Sequence, residues 1–285
     1  MFSFFKNRVD PKAQLKKTLQ GYELPSFPTV IMEILQKIRS PESSAADIAK
    51  SLSLDPALSV RLLSIANSAA FSPVKKIENL TQAIALVGFS QLESLVLSAG
   101  VAKGMPKQVC RWYDPQAFWL ASAKRAMLAH DLARDMCPAK ESECFTAAFL
   151  QDMALPFLAC HRTDVYDPIL KQWHLEGGDL AALEHDVADW DHAEVATWIC
   201  SEWGLPENIA LAIKTHHQPS ANIDYEPLGP VRLVSFFRES ESHDGVNEII
   251  EEARAVYNIS GEEMQSIIDS SFEKAEDLAQ MIACA

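Results

Sequence analysis

Asp152, His192 and the adjacent pair His216-His217 are the side chains of this sequence whose types could hold a hydrolytic metal ion. Asp152 closes the run Ala147-Ala148-Phe149-Leu150-Gln151-Asp152-Met153, which is apolar up to Gln151. A His in place of Gln151 would make a His-Asp pair, a ligand combination suited to transition metals. Gln151 offers only a neutral amide oxygen, a weak donor for such an ion. Asp152, His192 and one of His216 and His217 form a two-His-one-carboxylate set of the kind that binds iron or a similar ion. Successive helical residues point about 100° apart, so only one of His216 and His217 is expected to face a given ion. Each residue also has a plain structural role. Asp152 in an apolar helix needs a partner, His192 follows the capping candidate Asp191, and His216-His217 suit a helix C-terminus.

The elements that must position these residues read as helices. Val30, Ile31, Ile34, Leu35 and Ile38 make an apolar stripe at helical spacing. Ser44 is the expected N-cap of the next helix, and Asp55-Pro56 restarts the chain with a capping Asp and a first-turn Pro. Gly88 suits the end of a short helix over 81–87. Ser90-Gln91-Leu92-Glu93 is a capping-box pattern that would open the following helix. Gly104, Pro106 and Pro115 mark a break. Helical patterns follow over 118–136, 144–160, 192–203 and 206–216, with tail helices near 230–239, 246–256 and 262–282. Sustained alternation and hairpin turns are missing, so the fold is expected to be all-α: a two-part helical bundle. Four segments are expected: a basic N-terminal arm (1–20), an N-terminal helical subdomain (21–104), a second helical subdomain (105–220) and an acidic helical tail (221–285) packing on it.

Composition limits the function. A chain of 285 residues with 48% hydrophobic and 22% charged side chains can bury a full core. No apolar run reaches the roughly 18 residues of a membrane span. Met1-Phe2-Ser3-Phe4-Phe5-Lys6 lacks the apolar region of a secretory signal. The expected location is the cytoplasm, where the six scattered cysteines read as small buried hydrophobes. A formal charge of −14 opposes generic nucleic-acid binding. The arm is nevertheless basic, and the tail carries fourteen acids against Arg232, Arg238, Arg254 and Lys274. The arm reads as a solvated terminal helix, or as a docking arm anchored by Phe2, Phe4 and Phe5. Residues 46–63 look like a helix-turn-helix. The second helix offers only Arg61 and Asn67 to DNA, so the pair is read as packed bundle helices. His130-Asp131, a literal His-Asp dipeptide, is read as a surface pair.

Many short motifs, in order and at matching spacing, resemble the HDOD domain, the HD-related output domain of bacterial signalling proteins. The N-terminal part carries Leu24-Pro25-Ser26-Phe27-Pro28 and Asp55-Pro56-Ala57-Leu58-Ser59-Val60-Arg61-Leu62-Leu63. Ala66-Asn67-Ser68-Ala69, Gln82-Ala83-Ile84 and Val87-Gly88-Phe89 continue it. Further on come Phe118-Trp119, Leu150-Gln151-Asp152, His192-Ala193-Glu194-Val195, Trp203-Gly204-Leu205-Pro206 and Ile213-Lys214-Thr215-His216-His217. The resemblance covers about residues 20–220 and implies an all-helical fold related to HD-domain and HD-GYP metal-dependent phosphohydrolases, with the HD-like part C-terminal.

That resemblance also exposes departures. The place of an early His ligand is Ala121, the His-Asp pair is Gln151-Asp152, and the place of a following Lys is Leu155. A late carboxylate is missing, because the corresponding stretch reads Val234-Ser235-Phe236-Phe237. His192 and His216-His217 remain. Gln151, Asp152, His192, His216 and His217 are therefore expected to line a degenerate cleft with no catalytic residue. No cofactor is expected beyond a low-affinity divalent ion, for which Asp152, His192 and His216 are the weak candidates. The expected function is a non-catalytic signal-transduction module acting through protein–protein contacts. Its expected partners are other signalling proteins, with a small anionic ligand or nucleotide in the old cleft and no specific nucleic acid. The alternative is a divergent metal-dependent phosphohydrolase, and a DNA-binding regulator is the third reading.

Overall fold

The computed structural model describes residues 10–67, 73–106, 111–218, 229–238 and 243–283. Phe2, Phe4 and Phe5 of the proposed docking arm lie outside this set, as do Cys110 and Cys284. The chain is all-α, and no strand occurs among the described residues. Six helices come first: α1 (Pro11–Thr18), α2 (Thr29–Arg39), α3 (Ala45–Leu52), α4 (Pro56–Ala66), α5 (Leu80–Val87) and α6 (Phe89–Gly104). After the expected break come α7 (Pro115–Met136), a 3-10 turn over Pro138–Lys140, α8 (Glu141–Leu150), α9 (Leu155–His161) and α10 (Thr163–Glu176). α11 (Leu180–His185), α12 (His192–Trp203) and α13 (Glu207–Thr215) follow, and the tail holds α14 (Gly229–Val234), α15 (Val246–Tyr257) and α16 (Gly261–Ala283).

Local chemistry sets the helix starts. Ser44 and Asp47 form a reciprocal capping box at α3. Asp55 caps α4 by accepting from the Leu58 N–H at 3.1 Å. Its second oxygen pairs with Lys103, which ties the start of α4 to the end of α6. One expected cap does not form. Gly88, at φ +82°, both ends α5 and precedes the first residue of α6. The two axes turn by 110° there. Ser90 is thus already inside the helix, and Glu93 pairs with Arg39 of α2 at 2.7 Å instead.

α7 is the central strut and packs along α8, α14 and α16. Its buried face is rich in small residues, Ala121, Ala123, Ala126, Ala129 and Ala133, which let neighbouring helices approach closely. The N-terminal bundle is pinned to this half by Trp203, whose indole N–H donates to the Pro25 carbonyl at 3.0 Å, with Phe27 and Phe157 against its ring. The second half of the basic arm is α1, with Leu15 buried and the helix lying against α12.

The pattern over 144–160 is two helices rather than one. Pro156 has no N–H to return to the Asp152 carbonyl, and a continuous helix would drive its ring into that carbonyl. The chain passes through tight turns instead, with Met153 N–H bonding Leu150 and Leu155 N–H bonding Asp152. Gln151 and Asp152 therefore sit at a buried helix end. His130-Asp131 is also not a surface pair: both side chains are largely buried, and Asp131 accepts from Ser271 and Lys274 of α16. Cys144 and Cys200 are buried as expected, whereas Cys137 and Cys160 are half-buried. Among the described residues, no single helix is long and apolar enough to cross a membrane.

Candidate metal centre

The turn after α8, the start of α12 and the end of α13 bring Asp152, His192, His216 and His217 together. Their ligand atoms all lie within 4.8 Å of one another. Asp191 fixes the start of α12 by accepting from Glu194 N–H at 2.7 Å, which sets His192 as the first helical residue. α13 ends at Thr215. His216 and His217 therefore lie at and beyond the helix end, where the 100° rule of an intact helix no longer separates them. Contrary to the expectation from spacing, both rings face the same point.

Each imidazole is held through Nδ1. His192 Nδ1 lies 2.7 Å from Glu184 Oε2, His216 Nδ1 lies 2.5 Å from the Ile213 carbonyl, and His217 Nδ1 lies 3.3 Å from Asp179 Oδ1. Carbonyl and carboxylate oxygens only accept, so each Nδ1 carries the proton and each Nε2 points inward. The Nε2 atoms of His216 and His217 lie 3.3 and 3.0 Å from that of His192. Asp152 Oδ1 lies 3.3 and 3.4 Å from the Nε2 atoms of His192 and His216. An ion with metal–nitrogen distances of about 2.0–2.1 Å in tetrahedral geometry separates its donors by about 3.3 Å. Four of the six donor–donor distances thus match a single divalent ion of the zinc or iron type, with Glu184, Asp179 and the Ile213 carbonyl orienting the rings.

Sequence reasoning missed two charged residues here. Glu184, on α11, is 1% exposed and accepts from the Tyr166 hydroxyl, the His192 backbone N–H and the His192 ring. Arg125, on α7 one turn beyond Ala121, is 3% exposed and places Nη1 2.5 Å from Asp152 Oδ2. The same Nη1 donates to the Phe237 carbonyl at 3.3 Å. Neither residue belongs to a recognisable motif. A capping pattern at Asp179 followed by Leu180, Leu183 and Glu184 could have flagged α11.

The buried charges balance. Burial opposes ionisation of Asp152, but Arg125 and the hydrogen bonds of His192 and His216 outweigh it and hold the carboxyl well below its usual range. Burial also opposes a charge on His192, and here Glu184 and Asp152 prevail and raise the imidazolium well above its usual range. At His216, burial and the neighbouring His217 win, and its pKa falls to about 4. Without an ion, Asp152 and Glu184 are thus matched by Arg125 and protonated His192.

The positions read as departures from a full ligand set have distinct surroundings. Gln151 is wholly buried, and neither its amide nitrogen nor its oxygen has a partner among the described residues. Ala121 and Leu155 line an aromatic chamber of 510 Å³ with Trp112, Tyr113, Phe118 and Trp173. An adjoining cavity of 370 Å³ opens onto His192 and His217. Where a late carboxylate was looked for, Arg232, Ser235, Phe236 and Arg238 line that cavity. Asp152, Asp179 and Glu248 line the same cavity against Arg125, Arg232 and Arg238, and Arg232 and Arg238 pair with Glu252 and Glu248 at 3.1 and 3.4 Å, so the wall carries matched charges.

The HDOD domain pattern matches residues 24–219. An uncharacterized protein of Treponema pallidum (strain Nichols) is 27% identical over 218 residues, 72% of this chain. The match takes in 40% of that protein, so the chain spans about two-fifths of its length. Among solved structures, a presumed phosphohydrolase from Shewanella amazonensis SB2B superposes with a TM-score of 0.71 at 20% identity, covering 94% of this chain and 98% of its own. An HDOD domain protein of unknown function from Geobacter sulfurreducens gives 0.69 at 20% identity, with 96% and 99% covered. A presumed signal transduction protein from Marinobacter aquaeolei VT8 gives 0.71 at 16% identity, with 98% and 67% covered. These likenesses establish the shared helical fold.

Proposed function

Because this chain belongs to the HDOD domain family, we propose that it is a non-catalytic output module of signal transduction, working through protein–protein contacts. The observation that carries this reading is the buried ion pair between Arg125 and Asp152. A second metal ion would have to approach Asp152 Oδ2, where a guanidinium already sits. Arginine cannot stand in for that ion chemically, because it stays protonated and offers no coordination site for water. The remaining ion position has four protein donors. Four-donor closure is the pattern of structural ions, whereas hydrolytic ions keep a position open for water. An ion there would lock the ends of α8, α12 and α13 together. The two side chains that the second helix of the helix-turn-helix-like stretch could offer to DNA support the same reading. Arg61 is buried, and Asn67 bonds the backbone of Leu63 and Ile77.

The test is turnover of bis-p-nitrophenyl phosphate and p-nitrophenyl phosphate by protein loaded with Mn²⁺, Fe²⁺ or Zn²⁺. No metal-dependent rate is expected. A rate that collapses in Asp152→Ala and His192→Ala would establish the second reading, a divergent phosphohydrolase, which the convergent donor set favours. In that case Asp152, His192 and His216 would hold the ion, which would supply Lewis acidity and an acidified water. Half-buried His217 would have to leave the coordination sphere to open a position.

A further inference from the structure

A separate cavity lies on the seam between the N-terminal helices and the α7–α8–α16 group, and shares no residue with the two cavities at the histidine site. It measures 480 Å³, within the roughly 300–1,000 Å³ usual for small-molecule sites. Its floor is apolar: Ile65, Val87, Leu95, Met127, Phe145 and Leu278. At the α5–α6 corner Phe89 is 40% exposed, a large apolar side chain without full cover.

The polar wall is unbalanced in hydrogen-bonding capacity. Asp131 is committed, since it accepts from Ser271 and Lys274 at 2.9 Å each and lies 3.4 Å from His130. Lys274 is matched by that carboxylate. Arg134 is not: its guanidinium reaches Asp131 only at 3.8 Å, and its side chain is 59% exposed. Most of its five N–H donors are therefore open to a ligand. Across the cavity, Gly88 precedes α6 and has no side chain to accept from the N–H groups of Phe89, Ser90 and Gln91. The positive end of a 16-residue helix adds to the field of Arg134.

We propose that this seam cavity binds a small molecule with one carboxylate on an apolar body, the carboxylate lying between Arg134 and the start of α6. Asp131 and Glu141 also line the wall, and their charge disfavours a dianion such as a phosphate monoester more than a single carboxylate. The shared chemistry admits a free monocarboxylic acid or an apolar α-amino acid, whose ammonium would meet Glu141. α7 carries both Arg134 here and Arg125 at the histidine site, so an occupant would brace the helix that reaches both.

The test is titration calorimetry with octanoate, 3-phenylpropanoate and L-phenylalanine, and with 3-phenylpropanamide as the uncharged control. Saturable binding of at least one carboxylate at millimolar concentration or below is expected, with none for the amide. Preference for L-phenylalanine over 3-phenylpropanoate would identify the amino-acid class, and the reverse the free-acid class. Arg134→Gln, at an exposed position, is expected to weaken binding by about tenfold or more. Leu95→Trp, which fills the floor, is expected to abolish it, with the thermal unfolding profile verifying that the variant folds. Three results would each overturn the proposal: no saturable binding of any of the three carboxylates, equal binding of the amide, or unchanged affinity in Arg134→Gln.

Discussion

The two oxygens of Asp152 face opposite environments. Oδ1 looks onto the inward nitrogens of His192 and His216, whose rings are each anchored from behind. Oδ2 looks onto Arg125, with Gln151 and Ala121 nearby in the chain offering nothing to a metal. One side holds the donors and orienting partners of an ion site; the other holds a fixed guanidinium. The difference teaches that one buried carboxylate can serve two environments, because each is built by different helices.

Removing the shared carboxylate should have the largest effect. Asp152→Ala leaves Arg125 buried without its counter-charge, and its unfolding free energy in urea is expected to fall by about 3–5 kcal/mol. A loss below about 1 kcal/mol would mean that solvent reaches the pair. Next comes the orienting carboxylate on the histidine side. Glu184→Gln should weaken divalent-ion affinity by about 10–100-fold, read by competition with a chelating dye. Unchanged affinity would remove Glu184 from the site. Acting on the other side, Arg125→Met removes a cation facing the ion and should strengthen Zn²⁺ binding by about tenfold. Weaker binding would show that Arg125 supports the ion rather than excluding a second one.

The smallest effect separates the two His-Asp pairs. Burial opposes ionisation of Asp131, but bonds from His130, Lys274 and Ser271 hold its carboxyl well below the usual range. Its stabilisation is therefore complete above the unfolded-state value of about 3.9 and is lost as pH falls further toward the folded value. Asp131→Asn should flatten the acid limb of stability against pH and leave Zn²⁺ affinity unchanged. A change in ion affinity would break the distinction between the pairs.

The helices were legible because their stripes, caps and breaks are local: Ser44, Asp55 and Gly88 act as their types suggest. The break at Gln151 was hidden by an unbroken apolar pattern, although Pro156 signalled it. The site was legible where residue type sufficed, at Asp152, His192, His216 and His217. It was not legible where chemistry depends on distant elements. Arg125 reads as one basic residue in a mid-helix run, and Glu184 as one acid in a polar stretch; only packing shows both to be buried partners. His130-Asp131 shows the converse, since adjacency in sequence made a metal-like dipeptide that the fold uses to fasten α16. The convergence of His216 and His217 depended on where α13 stops, which spacing alone does not give.

The count of divalent ions bound per chain tests the central claim most directly. Protein stripped of metal, reloaded with excess Zn²⁺ or Mn²⁺ and desalted is expected to hold one ion per chain by elemental analysis. Two ions per chain would contradict the account, because Arg125 already occupies the second oxygen of Asp152.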